Sequence, residues 1–344
     1  MLRIIQYSSQ IDWNKWDELV ESHPEGNVFQ SKTMYLLWSQ VSGYSPIAMA
    51  AVDESGCMHG VLLGVRQSEP GRAMGYFSSR VIVWGGPLVR DEIRNRKIHL
   101  MLVRALVESQ RKKAIYLEIR NLFETVYMKA ELEKMGLKYQ EHINFILPIG
   151  SREDIQKRLS SNRKRQIKKA LSHGARIVEA ENLEQVRRFY EILKDLYKNK
   201  IRKPLPQWIF FKEFYLAGKQ LGTFLLVMAG EDVIGGIMCP LFKKKTIYEW
   251  YVCGLDEKYP DLYPSVLATW SGIEYAQKNG LQYFDFLGAG RPNEDYGVRE
   301  FKARFGGDLV SYGRYMRINN RLLFHIGKIG LSIIGKTKGH AGSN

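Results

Sequence analysis

The feature that most restricts the fold of this chain is a pattern of strands and a helix that occurs twice. In each half, two runs of strand-forming residues flank a short polar turn, and an amphipathic helix and a short apolar run come later. In the first half these segments are residues 46–52, 58–65, 98–110 and 114–119. In the second half they are residues 222–228, 233–241, 264–278 and 282–287. The offset of about 170 residues is domain-sized, so the sequence predicts a tandem pair of related units and not a solenoid.

Each unit is predicted to be a mixed sheet with helices packed on it, an α/β fold of the α+β mixed-sheet kind. A chain of 344 residues is long enough for two such domains, each with its own core. We place the boundary after the apolar strand at residues 144–147. The first domain is therefore expected at residues 1–148 and the second at 149–315, with residues 316–344 packing back on the first.

Charge is the part of the composition that bears on function. The chain has 51 Lys and Arg against 36 Asp and Glu, a formal net charge of +15. Such an excess indicates an anionic partner, and nucleic acid, anionic lipid and phosphorylated sugar all fit.

The cysteines and the hydropathy pattern favour a cytoplasmic protein. Cys57, Cys239 and Cys253 are an odd number and have no paired metal-ligand spacing. We therefore expect buried free thiols in a reducing compartment, and neither a metal site nor another cofactor. No apolar run reaches the ~18 residues of a membrane span, and residues 1–10 do not resemble a secretory signal.

A candidate site follows the last apolar run of the second half. Residues 283–307 have the sequence YFDFLGAGRPNEDYGVREFKARFGG. The run at 283–287 predicts a buried strand that ends at Gly288, and open α/β sheets commonly bind ligands beyond their strand ends. Lys302 follows between aromatic residues, where partial desolvation makes a lysine chemically useful. Arg299 and Arg304 are the alternative cations, and a lysine that merely faces water is the alternative interpretation.

A second candidate site is a basic helix within residues 157–176, which contain eight basic residues and no acidic one. Ser160 or Ser161 is expected to cap it, and Gly174 to end it. A solvated helix face usually mixes charges in i,i+4 pairs, so the absence of acids favours phosphate contacts over simple solvation. The predicted residues that bind phosphate or tRNA are Arg163, Arg165, Lys168 and Lys169.

Together these two patterns resemble the FemABX aminoacyltransferases, tandem-GNAT enzymes that attach amino acids from aminoacyl-tRNA to peptidoglycan precursors. The motifs are FDFLG at 284–288, FKARFG at 301–306, and NRKRQIKKA at 162–170 followed by Gly174. The resemblance covers nearly the whole chain. It implies two GNAT domains, aminoacyl-tRNA as donor, and a peptidoglycan precursor or lipid-linked sugar as acceptor. It also implies that Lys302 stabilises the oxyanion that forms when an amine attacks the acyl carbonyl.

The resemblance also suggests where a substrate diphosphate binds. In the family, the region that matches the break around Arg202 and Lys203 supplies a cation to the diphosphate, so these two residues are candidates. The family's first-domain phosphate lysine has no counterpart, because the helix around Trp38 has Gln40 near the expected place. This departure weakens the expectation of a UDP-sugar peptide as substrate.

Four further residues are assigned to the substrate, each with a structural alternative. Trp250, Tyr251 and Tyr296 are predicted to line a sugar or peptide cleft, although core packing is the default for aromatic residues in strands. Asp285 lies inside an apolar strand and needs a polar partner. Structural pairing, with Arg291 as a candidate, is favoured over a role in catalysis.

Acetyl-CoA is not expected to be the donor. Acyl-CoA-dependent GNAT domains cradle pyrophosphate on a Gly-rich turn at a helix N-terminus. The matching turns, residues 90–94 and 260–265, contain no glycine, and Asp261 would repel phosphate.

Two questions stay open at this stage. Residues 317–338 form a basic amphipathic segment that either lies on an anionic membrane or packs on the first domain. The function has two alternatives besides aminoacyl transfer: an N-acyltransferase acting on an amino sugar in surface-polysaccharide assembly, and a non-enzymatic module that binds tRNA or lipid.

Overall fold

The computed structural model describes residues 2–68, 76–91, 95–294 and 297–327. The chain divides into two compact units, Met1–Glu141 with Tyr312–Asn344, and His142–Ser311. Within the described ranges each unit contains one eight-stranded sheet with both parallel and antiparallel pairs. The predicted α/β architecture of two mixed sheets is therefore confirmed.

The first unit has its sheet in the order β1-β2-β3-β4-β6-β16-β7, with β5 also paired to β3. Its strands are β1 (Arg3–Ile5), β2 (Tyr44–Val52), β3 (Met58–Gln67), β4 (Arg80–Trp84), β5 (Leu88–Val89), β6 (Tyr116–Arg120), β7 (Lys138–Gln140) and β16 (Arg314–Ile318). Its helices are α1 (Trp13–Ser22), α2 (Lys32–Gln40), α3 (Arg96–Gln110) and α4 (Lys129–Lys134).

The second unit has its sheet in the order β15-β8-β14-β12-β11-β10-β9, with β13 also paired to β11. Its strands are β8 (Asn144–Pro148), β9 (Ala175–Glu179), β10 (Gly222–Ala229), β11 (Asp232–Phe242), β12 (Thr246–Tyr248), β13 (Tyr251–Gly254), β14 (Tyr283–Asp285) and β15 (Asp308–Val310). Its helices are α5 (Arg152–Arg158), α6 (Ser161–Ser172), α7 (Leu183–Leu196), α8 (Trp208–Ala217), α9 (Pro264–Lys278) and α10 (Gly297–Ala303).

The repeated pattern of the sequence corresponds to the same elements in both units. The hairpin β2–β3 is matched by β10–β11, α3 by α9, and β6 by β14. In each unit the strand after the helix pairs in parallel with the strand that follows the hairpin, β6 with β4 and β14 with β12. Close packing explains one small residue of α9, since a Cβ on Gly272 would lie 2.5 Å from the Phe284 ring.

The boundary between the units differs from the prediction. β8, expected to end the first domain, pairs with β14 and β15 and so belongs to the second sheet. β16, which follows the second unit in sequence, lies between β6 and β7 of the first sheet. The boundaries therefore fall after Glu141 and after Ser311. The apolar pattern of residues 144–147 specifies a strand, but it does not specify which sheet completes that strand's hydrogen bonds.

Each sheet opens beside its parallel pair. β11 pairs with β12 at Leu241 and Phe242 and with β13 at residues 235–238, so one long strand spans both. β12 pairs with β14, whereas in the described part of the chain β13 pairs with β11 alone. The backbone separates from β14 at Glu249, whose N–H donates the last bond to the Asp285 carbonyl, 2.8 Å away. The end of β14 therefore lies where β12 and β13 separate.

The helices of the described ranges are not membrane spans, because none combines the length and the apolar character that crossing a bilayer requires.

Candidate active site

The loop that follows β14 has an unusual backbone that buried side chains hold in place. Leu287, Gly288 and Gly290 have φ of 52°, 107° and 83°. The left-handed conformation of Leu287 costs roughly 1–2 kcal/mol for a residue with a Cβ. The Leu287 N–H donates to Oδ1 of Asp285 and the Gly288 N–H to Oδ1 of Asn144, both at 2.7 Å. These bonds stabilise the loop and fix where its carbonyl groups point.

Lys302, in the last turn of α10, reaches this loop. Its Nζ donates to the carbonyl oxygens of Phe286 and of Gly288, the latter at 3.0 Å. It also lies 3.0 Å from Oε1 of Glu249, and the two side chains are 9% and 2% exposed. Lys302 therefore does not face water, which removes the alternative interpretation of it as a solvated surface residue.

The contact between Lys302 and Glu249 is ionic but not directional. Among the described residues, Oε1 of Glu249 accepts no hydrogen bond with acceptable geometry, although the ammonium is adjacent to it. An ammonium has three N–H groups, and the carbonyls of Phe286 and Gly288 use two of them. Glu249 thus supplies charge without accepting an aligned N–H, and the third N–H donates no hydrogen bond to the described residues.

Asp285 is the second buried carboxylate of this cluster. Its Oδ1 accepts from Nδ2 of Asn144 at 2.7 Å, so its partner is an amide of β8 and not Arg291 as suggested by sequence. Burial raises the pKa of Asp285, while the hydrogen bonds from Asn144 and Leu287 and the charge of Lys302 oppose that rise. Asp285 therefore has a structural partner, as the sequence analysis favoured. It precedes Phe286, whose carbonyl accepts from Lys302.

Sequence reasoning missed three members of the cluster: Glu249, Asn144 and Thr269. Thr269 of α9 donates its hydroxyl to Oε2 of Glu249 at 2.9 Å. All three are buried polar residues within otherwise apolar surroundings. A signal was present in the sequence, since Glu249 interrupts the apolar and aromatic run IYEWYV, and a glutamate buried in such surroundings needs a partner.

Arg163 was predicted to bind phosphate, and the structure contradicts this. It is 4% exposed, and its guanidinium lies 4.3 Å from the ring centre of Phe301 and 4.9 Å from that of Phe305. It donates to Oε1 of Gln166 and to the carbonyl of Phe301. Burial, and the charge of Arg304, lower its pKa to about 10. Arg163 packs α6 against α10 and has little surface left for a ligand.

The basic segment is two helices, α5 and α6, because Ser160 starts a new helix with its hydroxyl accepting from the Arg163 N–H at 3.3 Å. Lys169 is paired with Asp261, 2.6 Å away, and each group shifts the pKa of the other towards the charged form. Asp261, from a turn distant in sequence, thus neutralises part of the basic face of α6, although residues 157–176 contain no acidic residue. Arg165 and Lys168 remain exposed.

The N-terminus of α9, where acyl-CoA-dependent GNAT domains hold pyrophosphate, is filled by the chain itself. The Ser265 N–H donates to Oδ1 of Asp256 at 3.1 Å, and the Ser265 hydroxyl donates to Oδ2. Pro264 at the first helical position has no N–H to offer. A carboxylate in this place competes with phosphate for the same donors. Together with the missing glycine, this argues against binding of acetyl-CoA. Asp261, which the sequence analysis expected to repel phosphate here, forms an ion pair with Lys169.

The remaining predicted substrate residues have mixed surroundings. Arg202 and Lys203 are exposed, and Arg202 has a left-handed φ of 54°. Trp250 and Tyr251 are half-buried, with ring centres 5.2 Å from Phe210 and 5.3 Å from Phe211 respectively. Both pack against aromatic residues of α8, and their place in a substrate cleft stays a prediction. Tyr296 lies outside the described residues.

In the first unit, the equivalent opening is filled by Gln30. Its amide donates to the carbonyls of Leu63 at 2.9 Å and Trp84 at 2.7 Å, and it accepts from the Leu63 N–H at 2.7 Å. A Cβ on Gly86 would lie 2.5 Å from the Gln30 carboxamide. Gln40, at the place of the family's lysine, is exposed. The second unit is therefore the candidate catalytic unit.

The three cysteines, all among the described residues, form no hydrogen bond or ion pair with Lys302, and one of them lies in a small polar cluster of the first unit. Cys239 and Cys253 are buried, which raises the pKa of both, whereas Cys57 is exposed, contrary to the expectation for it. Cys57, Asp53 and His59 approach within 4.8 Å at the tip of the β2–β3 hairpin. The Asp53 carboxylate is already bonded to His59 and to the turn backbone, so we assign no metal there.

The C-terminal segment is described as far as residue 327. Phe324 packs on Tyr116 of β6, with ring centres 5.5 Å apart, while Leu322 and Ile326 are 70% and 54% exposed. This segment therefore packs on the first unit through Phe324 and also presents exposed apolar side chains. Residues 328–338 of the predicted amphipathic segment lie outside the described residues.

Comparisons with known proteins agree with the fold described above. Residues 157–302 match the family model described as an Acetyltransferase (GNAT) domain. A search of curated proteins finds no match. Among solved structures, FemX is similar with a TM-score of 0.68 and 16% identity, over 94% of this chain and 99% of that one.

Two further structures extend the comparison. A tandem GNAT protein from the clavulanic acid biosynthesis pathway has a TM-score of 0.58 and 12% identity, over 93% of this chain and 99% of its own. L-PGS from Bacillus licheniformis has a TM-score of 0.56 and 14% identity, over 94% and 97%. The predicted tandem GNAT architecture and the likeness to FemX-type proteins are confirmed at the level of fold. This chain has a tandem GNAT fold, and the residues that match the acetyltransferase (GNAT) family model lie in its second unit.

Proposed function

We propose that this chain is an acyltransferase that forms an amide bond by transferring an amino acid from aminoacyl-tRNA to an amine of a peptidoglycan precursor. The observation that carries the proposal is Lys302, a buried ammonium with one N–H free of directed bonds at the opened end of β14. The similarity to FemX supports the choice of reaction.

In the proposed reaction the acceptor amine attacks the carbonyl carbon of the aminoacyl ester. A C–N bond forms, the ester C–O bond breaks, and the terminal ribose hydroxyl of the tRNA leaves with a proton derived from the amine. The carbonyl oxygen carries negative charge in the tetrahedral intermediate, and Lys302 stabilises it. One such donor in a dry site is worth about 3 kcal/mol. No step requires a metal or an organic cofactor.

The proposed partners account for the charge of the chain. Exposed Arg165 and Lys168 on α6, with a net charge of +15, suit a polyanion such as tRNA. Arg202 and Lys203 remain candidates for the diphosphate of the acceptor. A cytoplasmic location, with peripheral binding of the exposed Leu322 and Ile326 surface to an anionic membrane, would bring the protein to a lipid-linked acceptor.

The test is transfer of radiolabelled amino acids from charged tRNA to UDP-linked and lipid-linked muramyl peptides. We expect product with the wild-type protein, and Lys302→Ala to lower turnover by roughly 100-fold or more with substrate affinity nearly unchanged. Surface Lys112→Ala is the control for general effects of charge. Near-normal turnover of Lys302→Ala with these substrates would show that the assigned role of Lys302 is wrong.

A second candidate is an N-acyltransferase acting on an amino sugar in surface-polysaccharide assembly. It is favoured by the exposed Gln40, which stands where the family has a lysine for its nucleotide-sugar peptide. The same assay with amino-sugar acceptors distinguishes the two. The third possibility, a module that only binds tRNA or lipid, predicts binding without turnover for either acceptor.

A further inference from the structure

Glu249 is a buried carboxylate to which the proposed reaction has not yet given a role. It lies between β12 and β13, where the backbone separates from β14, and it is 3% exposed. Its backbone N–H is bonded to the Asp285 carbonyl, and its Oε2 accepts from the Thr269 hydroxyl at 2.9 Å. Main chain and side chain are therefore both anchored, and the second carboxylate oxygen, Oε1, is held 3.0 Å from the Lys302 ammonium.

The charges around Lys302 identify Glu249 as its counter-charge. Burial favours the neutral form of an amine unless an anion is adjacent. The titratable groups of this cluster are Glu249, Asp285 of β14 and the Cys239 thiol of β11, which Glu249 influences. Burial raises the pKa of both Asp285 and Cys239. Glu249 alone is in ion-pair contact with Lys302 among the described residues.

We propose that Glu249 is a positioning residue that keeps Lys302 charged and directs its free N–H towards the place where β12 and β13 separate. The proposal rests on the proposed function, in which Lys302 must be an ammonium to stabilise an oxyanion. Because the contact with Oε1 is not an aligned hydrogen bond, Glu249 holds the charge without taking the N–H that the substrate oxygen needs. Thr269 maintains this arrangement by fixing the other carboxylate oxygen.

The experiment follows Lys302 directly and needs no substrate. The full chain is labelled with ¹⁵N at lysine Nζ, and the Lys302 signal is assigned by its loss in Lys302→Arg. The pH at which this signal changes from ammonium to amine is then measured. We expect Glu249→Gln to lower that pH, because it removes the anion that lies 3.0 Å from the ammonium. Glu274→Gln, which removes the partner of the largely exposed Lys278, is the matched control and should leave it unchanged.

Turnover separates positioning from general damage. In the transfer assay, Glu249→Gln should lower kcat about tenfold or more at neutral pH with little change in KM, and should move the alkaline limb of the pH–rate profile to lower pH. Glu249→Asp retains the charge and should restore the wild-type titration of Lys302 while kcat stays reduced. If Glu249→Gln does not fold, Glu249→Asp and Thr269→Val carry the test, and wild-type kcat in both overturns the proposal.

The outcomes distinguish this inference from the proposed function. A Lys302 titration that is unchanged in Glu249→Gln overturns the inference and leaves the role of Lys302 intact. A shift seen in Asp285→Asn instead assigns the counter-charge to Asp285 and also overturns it. Normal turnover of Lys302→Ala overturns the proposed function, whatever the titration of Lys302 shows.

Discussion

Arg163 provides a direct physical contact between the two sequence motifs, NRKRQIKKA and FKARFG. Its guanidinium lies over the rings of Phe301 and Phe305, the residues on either side of Lys302 in the FKARFG motif. An arginine from the NRKRQIKKA motif therefore holds the helix that presents Lys302. Arginine suits this place because its planar, weakly hydrated cation stacks on aromatic faces better than an ammonium does.

The first prediction concerns this packing. Arg163→Ala should lower the free energy of unfolding by about 2–4 kcal/mol, because it removes two cation–π contacts and leaves a void. Arg163→Lys should recover only part of that loss. Chemical denaturation measures both, with exposed Arg165→Ala as the control, expected within about 0.5 kcal/mol of wild type. Equal stability of the two alanine variants would contradict the structural role of Arg163.

The second prediction concerns Glu118 of β6, which is bound by Arg120 at 2.9 Å and Arg314 at 3.0 Å. Burial alone would raise the pKa of Glu118, but the two guanidinium groups lower it from 4.5 to about 2. Because the folded-state pKa is lowered, the stabilisation is complete above the unfolded value and is lost as pH falls from about 4.5 through 2. Glu118→Gln should therefore cost about 3 kcal/mol at pH 7 and progressively less below pH 4.

Denaturation at several pH values checks this, with Glu274→Gln as the control for loss of a carboxylate in a more exposed pair. A Glu118→Gln penalty that is the same at pH 7 and pH 3 would mean that the ion pairs are not its source.

At the scale of single residues, the sequence could indicate Lys302 as a candidate site residue but could not predict which residues surround it. Flanking aromatic residues and a strand end are visible in a local window, and both are present around Lys302. Asn144 lies in β8 and Glu249 lies between β12 and β13, both distant in sequence from Lys302. Only the pairing of β8 and β12 with β14 brings them to Lys302 and Asp285. The error on Arg163 has the same origin, because its stacking partners lie 138 residues away or more.

Among the helices, α6 gives the third prediction. If Arg165 and Lys168 contact phosphates, the double variant Arg165→Glu, Lys168→Glu should weaken tRNA binding and reduce the log–log salt slope by about 1.4–1.8. Each phosphate contact contributes about 0.7–0.9 to that slope, depending on the strand structure of the nucleic acid. Filter binding at several salt concentrations measures it.

The control reverses Lys112 and Lys113, which are also exposed but lie in the first unit. If the two double variants lose the same amount of tRNA affinity, α6 has no specific part in binding tRNA.

The N-terminus of α9 gives the fourth prediction. Because Asp256 occupies the Ser265 donors, we expect no saturable acetyl-CoA binding at micromolar concentration. Isothermal titration calorimetry tests this with the wild-type protein and with Asp256→Ala, which frees the donors. A tight stoichiometric site in the wild type would refute the prediction and favour an acetyltransferase.

At the scale of the elements, the local sequence pattern predicted which helices and strands form, but it did not always predict which strands pair with one another. The hairpins and the helices α3 and α9 follow from periodicity and turn residues, which act within a few residues. β8 and β16 have equally clear strand patterns, yet each completes a sheet built mostly from another stretch of the chain. The break between α5 and α6 depends on Leu159 and Ser160, whose extended backbone no charge pattern reveals.

At the scale of the whole molecule, the contiguity of the second unit gives the fifth prediction. Every strand of the second sheet lies within residues 142–311, whereas the first sheet needs β16 from beyond them. Residues 142–311 expressed alone should therefore unfold cooperatively, and residues 1–141 alone should not. Joining residues 312–327 to 1–141 through a flexible linker should restore cooperative unfolding. Circular dichroism during thermal denaturation measures all three, and a stable 1–141 fragment would contradict the need for β16.

The late position of β16 also sets the order in which the two units mature on the ribosome. Multidomain chains usually fold from the N-terminus as synthesis proceeds. Here the second sheet has all its strands once Val310 emerges, while β6 and β7 still lack the strand between them until Ile318 follows. The half made first is thus finished last. A nascent chain that stops between these two points therefore contains every strand of the second sheet but lacks β16 of the first sheet.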